Sequence, residues 1–379
     1  DYVETSGQTT ANGVYNIVHL AYPRPFREPG LPLLDAVEPP AGKAIPRNDG
    51  NPERVRVDSA GQLGAVPTDY LNAGDQLENI AGVLHYRDGA YTLLPDSTSI
   101  FQYAVGNPGI AVPPAAERQF SLGWMKMRRR FDDINDPSRA EPVMTPAGYD
   151  TLVAKIAEEI CVVQGAPDLL AVGDVENLGV LADIAAAVQA SGSCGPGTGY
   201  QPLLVESSSA DGLDLGFLVA VRAATAEAPQ ISSLGVQQVA ASQTFSAPDG
   251  TALPLFAQPP LLLRVRVTAL AGQQETLSVL ATQFADAQDS SSSAPAALGW
   301  PTLGDRVRAT RAAQAVFLGE WLEARQLAQP DEMMAVVGGF ESHEFSDGYV
   351  DVMGLLTGRA ANSTEVWLAP QLALTRPLD

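Results

Sequence analysis

From Tyr149 onward the chain alternates amphipathic segments with short, wholly apolar ones, and this alternation limits its fold more than any other feature. Tyr149 to Ile160 places Leu152, Val153, Ile156, Ala157 and Ile160 on one helical face. After Pro167, the run Asp168-Leu169-Leu170-Ala171-Val172 reads as a buried strand. A second helix is expected from about Leu178 to Ala190, and a long one from about Gly304 to Arg325. Further strands are expected at Leu215–Val221, Leu261–Val267, Leu277–Ala281 and Met333–Val337. Strands that alternate with helices predict an α/β domain. The Ser- and Gly-rich stretches Ser191–Gly199 and Asp289–Ala294 read as surface loops with no function of their own.

The first 115 residues are different: turn signals are frequent and helical periodicity is weak. Arg54-Val55-Arg56-Val57-Asp58 alternates like a half-buried strand. Tyr86-Arg87-Asp88-Gly89-Ala90-Tyr91 sets Asp-Gly between two strand-like runs, a hairpin signal, and Gly82 reads as a bulge. The pattern predicts a small all-β domain of OB type over residues 1–115. The Pro-rich stretch at Val112-Pro113-Pro114 marks the boundary with an α/β domain over residues 116–379.

Charge narrows the function classes. The 379 residues hold 23 Lys and Arg against 44 Asp and Glu, a formal net charge of −21. Bulk charge of that sign opposes binding to nucleic acid or to an anionic membrane surface. Only 18% of residues are charged and the mean hydropathy is +0.01, so disorder is not expected. No apolar run is long enough to span a membrane. The chain begins at Asp1 with no leader, as a mature secreted (extracellular or periplasmic) product would. Cys161 and Cys194 are an isolated pair and offer no zinc pattern. In a secreted protein they read as one disulfide, and in a reducing compartment as two buried thiols. His19, His85 and His343 are scattered, and the serine clusters lack a nucleophile-elbow context.

Several segments, in order, resemble one family. Ala166 to Asn177 is similar to an Ala-Pro-Asp-strand-Gln-Glu-Val-Glu-Asn segment, and Gly212 to Val219 to Gly-x-Asp-x-Gly-Phe-Leu-Val. Leu255 to Leu261 resembles Phe-x-Arg-Pro-Pro-Leu, and Arg311 to Ala315 an Arg-x-x-Gln-Ala helix. Val336 to Val352 resembles Gly-Asp-Phe-Asn-Ala-x-x-Phe-x-Asp-Gly-Tyr-Val-Asp-Val. These are motifs of secreted bacterial nucleases of the endonuclease/exonuclease/phosphatase superfamily, and Val55–Leu94 looks like the OB-type domain that precedes their catalytic domain. The resemblance implies a two-sheet β-sandwich flanked by helices. It also implies metal-assisted phosphodiester hydrolysis, in which a carboxylate holds Mg²⁺ and an Asp/His network activates water.

Carried over position by position, the implied machinery is degenerate. The metal-binding Glu corresponds to Asp174. The Asp and Asn of Gly-Asp-Phe-Asn correspond to Gly339 and Glu341, and the catalytic His to Gln283, which cannot act as a proton carrier at neutral pH. Two Asn positions of the first strand align with Lys126 and Arg129. The family's closing Leu-Asp-His-x-Leu and Ser-Asp-His motifs do not occur, so the domain is expected to lack its last strands and to expose open sheet edges. Open edges recruit a protein partner or a second copy of the chain.

Losing one catalytic acid or base typically costs a factor of about 100 to 10,000. The resemblance therefore implies a nuclease-like protein that has lost hydrolysis and serves a binding or assembly role in an extracellular complex. The alternative is an active divalent-metal-dependent endonuclease or phosphodiesterase. Asp174, Glu176 and Glu341 are the candidate ligands for Mg²⁺ or Ca²⁺, against a reading as solvated acids of an acidic chain. Lys126 and Arg129, within Lys126 to Arg130, could contact a phosphate or an acidic partner, or form a solvated strand end beside Asp132 and Asp133.

Overall fold

The computed structural model describes residues 2–3, 14–18, 54–58, 76–87, 90–96, 102–104, 111–113, 119–137, 142–342, 350 and 352–357, apart from 196–197, 208, 210, 223, 225–228, 288 and 291. In the N-terminal region the described strands are β1 (Tyr2–Val3), β2 (Val14–Val18), β3 (Arg54–Asp58), β4 (Gln76–Glu78), β5 (Gly82–Arg87), β6 (Ala90–Pro95) and β7 (Gln102–Ala104). They form one sheet in the order β5-β6-β3-β2-β1-β4-β7, with Ile17 and Val57 at its core. Arg87 pairs with Ala90, as the hairpin signal predicted. Gly82 is not a bulge. It sits in regular register opposite Pro95, and a Cβ there would strike the Leu94 carbonyl.

The second region builds two four-stranded sheets. The first has the order β10-β11-β9-β8, from β8 (Leu122–Arg130), β9 (Leu169–Val175), β10 (Tyr200–Leu204) and β11 (Asp214–Ala220). A short hairpin of β13 (Thr244–Ser246) and β14 (Ala252–Pro254) follows β12 (Gln230–Gln238). The second sheet has the order β12-β15-β16-β17, from β12, β15 (Leu261–Thr268), β16 (Gln274–Gln283) and β17 (Met333–Gly339). Within these sheets β8 runs parallel to β9, and β16 parallel to β17.

Side-chain alternation stacks the layers. Leu169, Ala171, Leu215, Phe217 and Val219 meet Leu261, Leu263, Val265, Val279 and Ala281 between the sheets. Leu170, Val172 and Leu218 point the other way, onto helices α1 (Pro146–Glu158) and α2 (Leu178–Ser191). On the far side Leu262, Leu280 and Phe284 pack on α3 (Leu303–Ala328) and α4 (Val352–Thr357). The result is helix, sheet, sheet, helix. It explains why the strands read as continuous apolar runs: no face of β9 meets water.

Each helix begins where a cap dictates. Thr145 accepts from Gly148 N at 3.2 Å with Pro146 beginning α1, and Asn177 accepts from Val180 N at 3.0 Å to begin α2. Thr302 and Asp305 form a reciprocal capping box on α3, each side chain accepting from the other's backbone N–H at 3.1 Å. Gly192, at φ 69°, ends α2 in the left-handed conformation.

Glu159–Val163 continues α1 as a π-helical turn, which carries Cys161 to Cys194. The two form a disulfide across a separation of 33 residues, so the oxidised reading of the pair holds. Residues 112 and 163 are also tied, Val112 N donating to Val163 O at 2.8 Å. The Asp289–Ala294 stretch is more than a surface loop. Ser290 is buried, and its carbonyl accepts from Arg308 Nη1 at 2.5 Å near the start of α3.

Candidate functional site

Three central strands converge on a cleft of about 620 Å³. Lys126 and Arg129 come from β8, Asp174 from the end of β9, and Gln283 from the end of β16. Phe245, Phe256, Phe284 and Leu213 give it apolar walls, while Asp211, Asp286 and Arg306 add charge to its lining.

Asp174 owes its direction to an interruption in β9. Its backbone is left-handed, φ 62°, and the pairing of β9 is irregular on both sides at this point, toward β8 and toward β11. An irregularity of this kind turns a side chain off the alternation of its strand. The carboxylate Oδ1 accepts from Gln258 Nε2 at 2.7 Å, and Asp174 N donates to Gln258 Oε1 at 3.2 Å. Gln258 is buried and lies 84 residues away in sequence, within Phe256-Ala257-Gln258-Pro259-Pro260. Sequence reasoning missed it as a site residue. The one signal was that Gln stands where the similar motif has Arg.

Gln283 and Gly339 are partners in the parallel register of β16 and β17. A Cβ built on Gly339 would clash with the Gln283 side-chain oxygen, and it would lie 2.8 Å from Cδ and 2.9 Å from Nε2. The Gln283 amide therefore fills the space that any side chain at 339 needs. Its Nε2 donates to Phe284 O at 3.2 Å and to Glu341 Oε1 at 3.1 Å, while its Oε1 is buried without a hydrogen-bond partner.

Glu341 follows β17 with a left-handed backbone, φ 48°. Its Oε1 accepts from Lys126 Nζ at 2.5 Å. Burial alone would lower the Lys126 pKa, but the hydrogen bond and charge of Glu341, with the charges of Asp174 and Asp286, outweigh it and hold the ammonium above its ordinary value. Arg128 and Arg129 also have positive φ, 55° and 60°, and the Arg129 guanidinium lies 5.8 Å from the Phe131 ring centroid. Left-handed non-glycine residues thus gather around this cleft, as they do at sites where geometry is held against local preference.

Helix α3 fixes the loops from behind. Arg311 is fully buried and donates from Nη2 to the Glu341 carbonyl at 2.5 Å. One turn on, Gln314 accepts from Ala285 N at 3.0 Å and donates to Leu255 O at 2.9 Å. The Arg-x-x-Gln spacing thus puts two polar side chains on one helix face, where they clamp three segments of the cleft.

The structure brings Lys126, Arg129, Asp174, Gln283, Gly339 and Glu341 to one place. Glu176 is engaged elsewhere: it does not line the cleft, and its Oε2 accepts from Asp132 N at 2.7 Å. Residues 343–349, with His343, lie outside the described residues.

The donor set does not fit the divalent ion that the resemblance implies. Among the described residues, no group of three His, Cys, Asp or Glu is placed to hold a metal. The expected trio is separated: Gln258 holds Asp174, the Asp132 backbone holds Glu176, and an ammonium holds Glu341. What the cleft offers instead is an ammonium paired with a carboxylate, further acids, two guanidinium groups, a neutral amide and apolar walls.

A domain of unknown function (DUF8508) matches residues 35–104. No curated protein matches the chain. Similar solved structures include truncated TDP2 from Caenorhabditis elegans, 12% identical over 59% of this chain and 63% of that one, with a TM-score of 0.31. The chain thus spans less than two thirds of that structure. A mannosyl-6-phosphatase from Bacteroides thetaiotaomicron is 11% identical over 63% of this chain and 70% of that one, with a TM-score of 0.35. An endonuclease/exonuclease/phosphatase family protein from the same organism is 11% identical over 63% and 66%, also with a TM-score of 0.35. By its own layers the chain is a mixed α/β protein, with two central sheets between helices and a separate sheet of N-terminal strands.

Proposed function

We propose that this chain is a nuclease-like protein of the endonuclease/exonuclease/phosphatase type that has lost phosphodiester hydrolysis and serves a binding or assembly role outside the cell. The observation that carries the reading is the Gln283–Gly339 pair. A neutral amide occupies the space beside a residue that has no side chain. The pair supplies neither a proton carrier nor a carboxylate near neutral pH. Because the amide blocks position 339, restoring the carboxylate there alone would not rebuild the site.

The disulfide agrees with an oxidising compartment. Assembly is supported by β5, which stands at one end of the N-terminal sheet order and exposes Val83, Leu84 and Tyr86. An OB-type barrel around that sheet belongs to the same proposal.

Incubation of plasmid and single-stranded DNA with Mg²⁺, Mn²⁺ and Ca²⁺ is the test. The expected result is no metal-dependent cleavage. Cleavage that Asp174→Ala abolishes would establish the active-nuclease alternative. Light scattering checks the assembly role, and a strict monomer at all concentrations would count against it.

A further inference from the structure

Lys126 ion-pairs with Glu341 and shares the cleft lining with Asp174 and Asp286. Glu341, just beyond β17, contacts its ammonium at 2.5 Å, and the charges of Asp174 from β9 and Asp286 beyond β16 act on it as well. The lysine projects from β8 at the residue paired with Gly173, next to Asp174. Its side chain is one-third exposed and that of Glu341 23% exposed, so the pair is partly shielded from solvent.

We infer that the Lys126 ammonium is the resident cation of this cleft, taking the place of a divalent ion among Asp174, Asp286 and Glu341 and excluding one. The charge that offsets Glu341 is carried on the chain, so the geometry of the pair is independent of metal supply. This deepens the preceding reading and rests on it in one respect: only a cleft that has given up metal-dependent hydrolysis can yield the place of a divalent ion to a lysine. A compact ammonium delivers one positive charge and three donors, which is enough to satisfy carboxylate oxygens without the ligand geometry that Mg²⁺ demands.

The test is thermal unfolding of the full chain, oxidised, with and without 0–20 mM MgCl₂ or CaCl₂. NaCl at matched ionic strength controls for screening. The wild type is expected to show no saturable divalent shift. Lys126→Met keeps the stem and removes the charge. It is expected to melt lower and to gain a saturable divalent stabilisation of about 3–5 °C, as a millimolar site would give at 10 mM ion. Glu341→Gln added to Lys126→Met should remove that gain, and Lys126→Arg should not show it. Lys126→Gln is a second charge-free variant should Lys126→Met fail to fold.

A saturable divalent shift in the wild type overturns the inference. So does a folded Lys126→Met or Lys126→Gln protein with no divalent response. The DNA-cleavage assay separates the two readings. Metal binding by an inactive wild type sinks only the resident-cation inference, whereas metal-dependent cleavage sinks the loss of hydrolysis.

Discussion

Gly339→Ala isolates the packing that defines the altered site. Gly339 lacks a left-handed φ, so alanine meets no backbone penalty there, and the entire cost falls on Gln283. The new Cβ would lie 2.8 Å from Gln283 Cδ, so the amide must swing away. Swinging breaks its bond to Phe284 O at 3.2 Å and its bond to Glu341 Oε1 at 3.1 Å. A neutral hydrogen bond contributes about 1 kcal/mol and one to a charged group about 1.5–3 kcal/mol, partly recovered when Glu341 keeps Lys126. The expected destabilisation is about 1–3 kcal/mol. In a Gln283→Ala background the space is empty, and Gly339→Ala should cost less than about 0.5 kcal/mol. Urea unfolding of the four proteins in this cycle gives the coupling directly. Equal effects of Gly339→Ala in both backgrounds would refute the argument, because the clash with Gln283 would then not be its cause.

Three further outcomes are expected. Replacing both Cys161 and Cys194 with Ser frees a loop with a separation of 33 residues, which the chain-entropy relation places at about 3.7 kcal/mol; urea unfolding showing a loss below about 1 kcal/mol would contradict it. Burial, with the neighbouring Glu206 and against the Ser207 hydrogen bonds, pushes the Asp214 carboxyl up from 3.8 to about 6. The folded chain then holds the extra proton, so this contribution to stability is full below about pH 4 and lost as pH rises through 6. Melting curves should show the wild type gaining on Asp214→Asn as pH falls from 7 to 4; a pH-independent difference would refute this. Thr302→Ala removes one half of the α3 capping box and should cost about 1 kcal/mol by chemical denaturation, whereas Arg306→Ala, one turn into the helix, leaves that cap intact.

The layered core was legible because its strands are apolar on both faces. Leu169 to Val172 announced a buried strand, and the helices around it announced what covers it. The outer strand β12 was not legible: Gln230, Ser232, Gln237 and Gln238 leave it without an apolar run, and an edge strand with one wet side needs little apolar content. The strand β10 escaped for a related reason, since Pro202 breaks the pattern and an edge tolerates it.

At the site, resemblance located Asp174, Gln283, Gly339 and Glu341 one by one but not their contacts. That Gln283 fills the space beside Gly339 follows from the parallel pairing of β16 with β17, which no local pattern encodes. Gln258 reaches Asp174 across 84 residues, and Lys126 reaches Glu341 across 215. Arg311 and Gln314 were visible as a helical spacing, but their targets on three separate segments were not.

The uniform greasiness of β9 leaves its register undetermined by pattern. In a strand with one wet face, a slip of one residue is punished at every position. Here a slip exchanges one apolar side chain for another in either dry layer. The two acids that bracket the strand supply the missing punishment. Asp168 is anchored by Ser121 N at 2.6 Å, Ser121 Oγ at 3.0 Å and the Arg222 ion pair, and Asp174 by Gln258. Sliding the strand by one notch would drag a carboxylate off its anchor into hydrocarbon, so these bookends, more than the grease between them, index the central sheet.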